Sequence, residues 1–255
     1  MILRRFAEHM RKQQWTSVAI EFAIVVLGVF IGLQVNEWAA SQAAQRRGQD
    51  YAQRLIHDVD KDLRIHRELV AYYDAVDDGA ARADALLERP GRDATALVVD
   101  AYRATEYLYA AQTRSTWDEV VSSGDIGLLP RAAVDDLSDY FAWDNARSSL
   151  DVLRASPYRR RVRSLLSHEV QQAIGEGCSD VRNQTERIIG FRQNCTLALS
   201  AGEIASAAEA LRRDPGVRSD LRFQFSEINN ARASLRGDIA HLERALAALR
   251  TPPHR

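Results

Sequence analysis

The stretch WTSVAIEFAIVVLGVFIGLQVNEW, Trp15 to Trp38, decides how the rest of the chain is read. From Phe22 to Leu33 it carries no charge. Extended to Val18 and Val35 it supplies about 18 residues, roughly 27 Å of helix, which just spans a hydrocarbon core. Trp15 and Trp38 bracket it at the depths where indole rings favour the headgroup layer. Ahead of it stand Arg4, Arg5, Arg11 and Lys12 against a single Glu8, while the flank on the other side carries mixed charge. The positive-inside rule then expects a cytoplasmic N-terminus and an exported bulk. The expected organisation is a cytoplasmic tail at 1–14, a transmembrane anchor at 15–38, a helical domain outside at 39–250 and a disordered tail at 251–255.

Other readings of this stretch compete. Ala39, Ala40, Ser41, Ala43 and Ala44 would suit a signal-peptide cleavage site, but Gln34, Asn36, Glu37 and Trp38 make a poor approach to one. A buried soluble helix fits neither the bracketing tryptophans nor the basic flank, and Arg4 with Arg5 alone does not make a twin-arginine signal. Within the helix, Glu21, Val25, Gly28, Gly32, Val35 and Ala39 recur at steps of four and three, so they share one stripe. Gly28 and Gly32 form a GxxxG pair, which permits close approach of a second helix in lipid. Glu21 is shallow enough to snorkel or to pair with Arg11 or Lys12; the alternative is an acid facing another helix. The stripe Glu21, Val25, Gly28, Gly32 is the expected association face of a homo-oligomer.

Over the whole chain, a 46% hydrophobic and 27% charged composition is that of folded chains, so disorder is not the default. A net charge of −1 argues against a nucleic-acid partner needing a broad basic face. Lys12 and Lys61 are the only lysines; all other basic residues are arginines, which reads as codon bias before it reads as ion-pair engineering.

Helical periodicity dominates the chain beyond the anchor. Leu55, Val59, Leu63, Leu69, Val70, Tyr73, Val76, Ala80, Ala83 and Leu87 recur every three or four residues, which predicts one long helix continuing from the anchor and ending near Arg89, ahead of Pro90 and Gly91. A second helix is expected over Asp93 to Gln112 with Leu97, Tyr102, Tyr107 and Leu108 buried, and others over Arg131 to Ala155 and Pro157 to Ile174. Pro157 suits a first helical position. Arg159, Arg160, Arg161 and Arg163 form a basic run that reads as a solvated face before it reads as a site for anionic headgroups. At the C-terminus, Leu221, Phe225, Ile228, Leu235, Ile239, Leu242, Leu246 and Leu249 fit a four-three spacing with Arg232 in the one missing position. That is a coiled-coil-like seam, expected to pack antiparallel on the long helix, with Arg232 needing a carboxylate such as Asp60 or Glu68. The expected fold class is all-α.

Two local motifs stand out. In STWDEVVSSGDIGLLP, Thr116 and Glu119 have capping-box spacing and Gly124 is placed as a left-handed helix stop; Ser122, Ser123 and Asp125 lack the strand and flanking glycines of a nucleophile elbow. Cys178 and Cys195 enclose a polar stretch, and in an oxidising compartment they are expected to pair, closing a loop worth about 3 kcal/mol on the chain-entropy argument. Two free buried thiols are the alternative.

The N-terminal run MILRRFAEHMRKQQWTSVAIEFAIVVLGVFIGLQVNEW, together with STWDEVVSSGDIGLLP and DDLSDYF, resembles a group of uncharacterised bacterial single-pass inner-membrane proteins. The resemblance covers the anchor and the middle third of the chain. It implies an envelope location, with the C-terminal domain in the periplasm, and supplies no activity and no catalytic residue.

Three functions are compatible with this organisation. The first is a non-enzymatic, membrane-anchored interaction or scaffold protein that self-associates in the bilayer and meets an envelope protein partner. The second is an ion-coupled or stator-like accessory subunit using Glu21. The third is a cryptic periplasmic hydrolase, although His9, His57, His66, His168, His241 and His254 show no metal-ligand spacing and no catalytic set is visible. No cofactor, metal ligand or catalytic residue is expected.

Overall fold

The computed structural model describes residues 15–89 and 93–251, with side chains from residue 19 onward. The expected cytoplasmic tail with its basic residues, the breakers Pro90 and Gly91, and His9 and His254 lie outside the described residues. The order is α1 (Trp15–Leu87), α2 (Ala94–Arg103), α3 (Ser115–Ser123), a 3₁₀ turn (Asp125–Leu128), α4 (Arg131–Ala142), α5 (Asn145–Arg154), α6 (Pro157–Leu165), α7 (His168–Gly177), β1 (Asp180–Arg182), β2 (Ile188–Phe191), α8 (Ala201–Arg213) and α9 (Pro215–Arg250). The all-α expectation holds, apart from one small antiparallel hairpin.

Among the described residues, those up to Tyr51 and those from Ala52 on form two compact units. In the first, the described part is helix α1, and every side chain from Ala19 to Ser41 is exposed. Its N-terminal part is long and apolar enough to cross a membrane by length and composition, with an 18-residue window of mean hydropathy 2.0.

The second unit is built on the antiparallel pairing of α1, from Ala52 on, with α9. Ion pairs mark the register along the whole length: Arg250 meets Asp60 at 2.8 Å, Glu243 meets Arg67 at 2.6 Å, Arg232 meets Asp74 and Asp77 at 2.6 and 2.7 Å, and Arg218 reaches Asp84 and Glu88. Arg232 does find carboxylates, but not the expected Asp60 or Glu68, which pair with Arg250 and Arg187 instead. The register that buries both apolar faces sets Arg232 against a later stretch of α1.

Between these pairs both helices bury strict four-three repeats. On α1 the repeat is Leu55, Val59, Asp62, His66, Leu69, Tyr73, Val76, Ala80, Ala83 and Leu87; on α9 it is Val217, Leu221, Gln224, Ile228, Ala231, Leu235, Asp238, Leu242, Ala245 and Leu249. The α9 seam therefore shares Leu221, Ile228, Leu235, Leu242 and Leu249 with the sequence expectation, and the expected Leu246 is buried beside it, while Gln224, Ala231 and Asp238 stand one residue before the expected Phe225, Arg232 and Ile239. Phe225, Arg232 and Ile239 are only half-buried. The cause is that α9 packs against α4, α5 and α6 as well as α1, which turns small or polar residues inward where a two-helix seam would take the larger neighbours.

Three expected helices are interrupted. Asp93 caps α2, which ends at Arg103, well before Gln112. The next segment leaves the helix because its backbone finds other partners: Tyr73 Oη donates to the Leu108 carbonyl at 2.8 Å and accepts from the Leu108 N–H at 3.0 Å. Arg131 to Ala155 breaks where Asp144 caps α5, and Pro157 to Ile174 breaks where Ser167 caps α7. In each case a short polar side chain accepts an otherwise orphaned N–H of the new helix. Pro157 does open α6.

Candidate functional site

The seam carries polar residues where coiled-coil packing wants apolar ones, and near its Asp60 end they gather into one cluster. Asp62 is 2% exposed and fully hydrogen-bonded. Its Oδ1 accepts from Thr113 Oγ1 at 2.6 Å; its Oδ2 accepts from the Thr113 N–H and from Tyr140 Oη, both at 2.9 Å. One turn along α1, His66 is 4% exposed, with Nδ1 2.9 Å from the Asp62 carbonyl, a geometry in which the ring donates. Its Nε2 faces Asp238 Oδ2 of α9 at 3.5 Å, and the Tyr140 ring lies edge-on at 5.7 Å. Asp238, 4% exposed, has no hydrogen-bond donor on Oδ2.

This geometry sets the electrostatics. Burial disfavours the charged imidazolium, yet the Asp238 side chain, the Asp62 carbonyl and both carboxylate charges outweigh it, and the His66 pKa is raised above 6.5. Burial, then the Asp62 carboxylate, pushes the Tyr140 phenol far above its ordinary range, so it stays a donor. Sealed in this way, the cluster offers nothing to a solvent-borne substrate. What it can do chemically is hold a proton between two helices.

Apolar periodicity alone does not reveal this polar seam. Continuing the steps from Leu55 and Val59 by three and four lands on Asp62 and His66, and the same steps from Leu235 land on Asp238; that alternation is the signal the sequence offers. Tyr140 and Thr113 come from α4 and from the irregular segment before α3, and no spacing links them to α1.

The other residues that the sequence singles out have different surroundings. Glu21, Val25, Gly28 and Gly32 are all exposed on α1, and a Cβ built on Gly28 or Gly32 would meet nothing within 4 Å. Cys178 and Cys195 form the expected disulfide. It encloses the β1–β2 hairpin, whose Phe191 packs on Tyr72 and beneath Arg103. Gly124 is the left-handed stop of α3 at φ 76°. The capping box is a correction: α3 already starts at Ser115 with Arg114 before it, so Thr116 lies inside the helix and cannot cap it. Thr116 Oγ1 instead donates to Asp58 Oδ2 at 2.6 Å, and Glu119 pairs with Arg54. Ser122 and Ser123 donate to carbonyls of their own helix, a structural role.

The basic run is also not a free face. Arg161 holds Asp214 and Asp220, Arg163 holds Glu106, Thr105 and Tyr102, and Arg159 donates to the Thr105 carbonyl; of the four only Arg160 points fully to solvent. His241 joins Arg244 on Asp136, while His168 is exposed at the start of α7. An open cleft of about 560 Å³ between α7 and α8 is lined by Glu169, Glu176 and Glu203, but Glu176 accepts from Gln172 and Glu203 is bound up in the Ser200 capping box of α8.

No family model, no curated protein and no solved structure matches the chain.

Proposed function

We propose that this chain is a membrane-anchored, non-enzymatic interaction protein of the bacterial envelope, self-associating through the Glu21, Val25, Gly28 and Gly32 face of its spanning helix. The observation that carries the reading is the exposure of the apolar stretch. Ile20 through Trp38 hold their large apolar side chains 48–70% exposed, whereas the second unit buries its own core. Such a contiguous apolar surface calls for lipid or another helix. Gly28 and Gly32 leave open backbone on one side, the shape that favours a second helix in lipid, where packing rather than hydrophobicity drives association. A Cys178–Cys195 bridge suits an oxidising compartment, which supports the periplasmic side for the helical domain. Resemblance in the anchor and in STWDEVVSSG points the same way. A partner in the envelope would meet the exported domain.

Thiol labelling of Ser41→Cys in intact cells, with membrane fractionation and non-reducing electrophoresis, tests the topology. Labelling from outside the inner membrane, retention in membranes and an oxidised Cys178–Cys195 pair are expected; labelling only after lysis would invert the topology. Self-association is tested by the mass of the particle in mild detergent. A dimer or larger species that becomes a monomer with Gly28→Leu plus Gly32→Leu is expected, and a wild-type monomer would sink that half of the proposal.

A further inference from the structure

We propose that the His66–Asp238 pair is a proton-dependent latch that holds α9 on α1: with His66 protonated the seam is closed, and loss of that one proton loosens it. Asp238, a carboxylate 4% exposed with Oδ2 accepting no hydrogen bond, is among the costlier groups a helix seam can hold. The cation facing it is the imidazolium of His66, whose Nδ1 already donates to the Asp62 carbonyl, so the second ring proton is the one that faces Asp238. The neutral ring with its proton on Nδ1 turns a lone pair towards the carboxylate. Deprotonation thereby replaces an attraction with a repulsion, in a place where water cannot intervene.

Other charged groups around the ring are already committed. On α1, Asp62 accepts from Thr113 and Tyr140, and Asp58 accepts from Thr116. From α4, Tyr140 gives its proton to Asp62, and Asp136 is held by His241 and Arg244 from the next turn of α9. From the segment before α3, Arg114 serves the Phe141 carbonyl and Asp118. No other cation among the described residues is within ion-pair distance of Asp238.

Linkage gives the sign. His66 has its folded pKa raised above the ordinary 6.5, so its contribution to stability is fully present below that value and is lost as pH rises through the folded pKa. Between those two values the unfolding constant rises up to tenfold per pH unit for the one proton released.

The test uses the full chain in detergent micelles. A variant with His9, His57, His168, His241 and His254 all changed to Gln leaves a single imidazole, whose NMR titration reports His66 directly. A pKa above 6.5 that drops when Asp238→Asn is added is expected. Hydrogen exchange, corrected for the intrinsic effect of pH, should speed up in 231–245 of α9 between pH 6 and pH 9, with α8 as the internal reference. His66→Gln should abolish that pH dependence, whatever it does to stability. A pKa at or below 6.5, or exchange in α9 that ignores pH in the wild-type chain, overturns the latch. The single-imidazole and wild-type measurements stand even if His66→Gln fails to fold.

Discussion

Helix α1 contains two stretches that obey opposite rules. From Ala19 to Trp38 it is apolar on nearly every face and exposed on all of them; from Leu55 to Leu87 it buries one four-three stripe and turns Asp, Arg and Glu outward. The helix is the same, and the difference lies in what must cover it. An all-round apolar surface asks for a solvent without water, whereas a stripe asks for one partner, which α9 supplies along its length. The lesson extends to the polar residues. Glu21 stands exposed, while Asp62 and His66 sit in a sealed seam where each needs an identified partner.

The largest expected effect breaks this comparison by the same change in both stretches. Leu221, fully buried in the α9 seam, is expected to cost about 2–5 kcal/mol of domain stability as Leu221→Ala, because the transfer free energy is lost and a cavity remains. Leu27→Ala, at a side chain 57% exposed, should leave the unfolding midpoint of the domain unmoved. Chemical denaturation in micelles, followed by near-ultraviolet circular dichroism, checks both. Equal losses would mean that Leu27 is covered by the protein itself and that the two stretches are not distinct.

Removing the disulfide comes next. Cys178→Ser with Cys195→Ser is expected to cost about 3 kcal/mol, since the bridge closes a short loop in the unfolded chain. It should also loosen the hairpin, including Phe191 against Tyr72, so fast exchange confined to 179–195 would locate the effect. A stability loss spread evenly over α9 would instead tie the bridge to the seam.

Much of the architecture is legible in the amino-acid sequence. The apolar run, the long helix and the antiparallel C-terminal partner come from composition and period, the left-handed Gly124 stop from a local helix-end signal, and the pairing of Cys178 with Cys195 from the oxidising compartment that export implies. What escapes such a reading has a common physical origin. Helix breaks at Trp143 and Leu166 depend on capping by Asp144 and Ser167, whose short side chains look no different from surface residues until the N–H groups they satisfy are known. Alternate positions of the α9 seam slip by one residue because Asp238 and Gln224 have the polarity of outward positions. Gln224 in fact donates to the Ala104 carbonyl at 2.9 Å, a partner contributed by a remote helix end. Arg161 and Arg163, whose charge suggests a solvated face, clamp α6 to α8, α9 and the segment after α2 through acids distant in sequence.

The smallest expected effect separates the two residues that spacing alone pairs as a capping box. If Thr116 and Glu119 acted together at a helix start, substituting either would fray α3 to a similar extent. The geometry expects them to behave differently. Thr116, 4% exposed, gives its hydroxyl proton to Asp58, so Thr116→Val keeps the shape, strands a carboxylate oxygen and is expected to cost about 1 kcal/mol. Glu119 meets Arg54 at the surface, where side-chain entropy and salt screening consume most of what an ion pair offers, so Glu119→Gln should leave the midpoint within measurement error. The double variant Thr116→Val with Glu119→Gln should equal the sum of the singles, because no hydrogen bond joins the two side chains. A coupling as large as the Thr116→Val effect itself would restore the capping box and show that α3 starts later than Ser115.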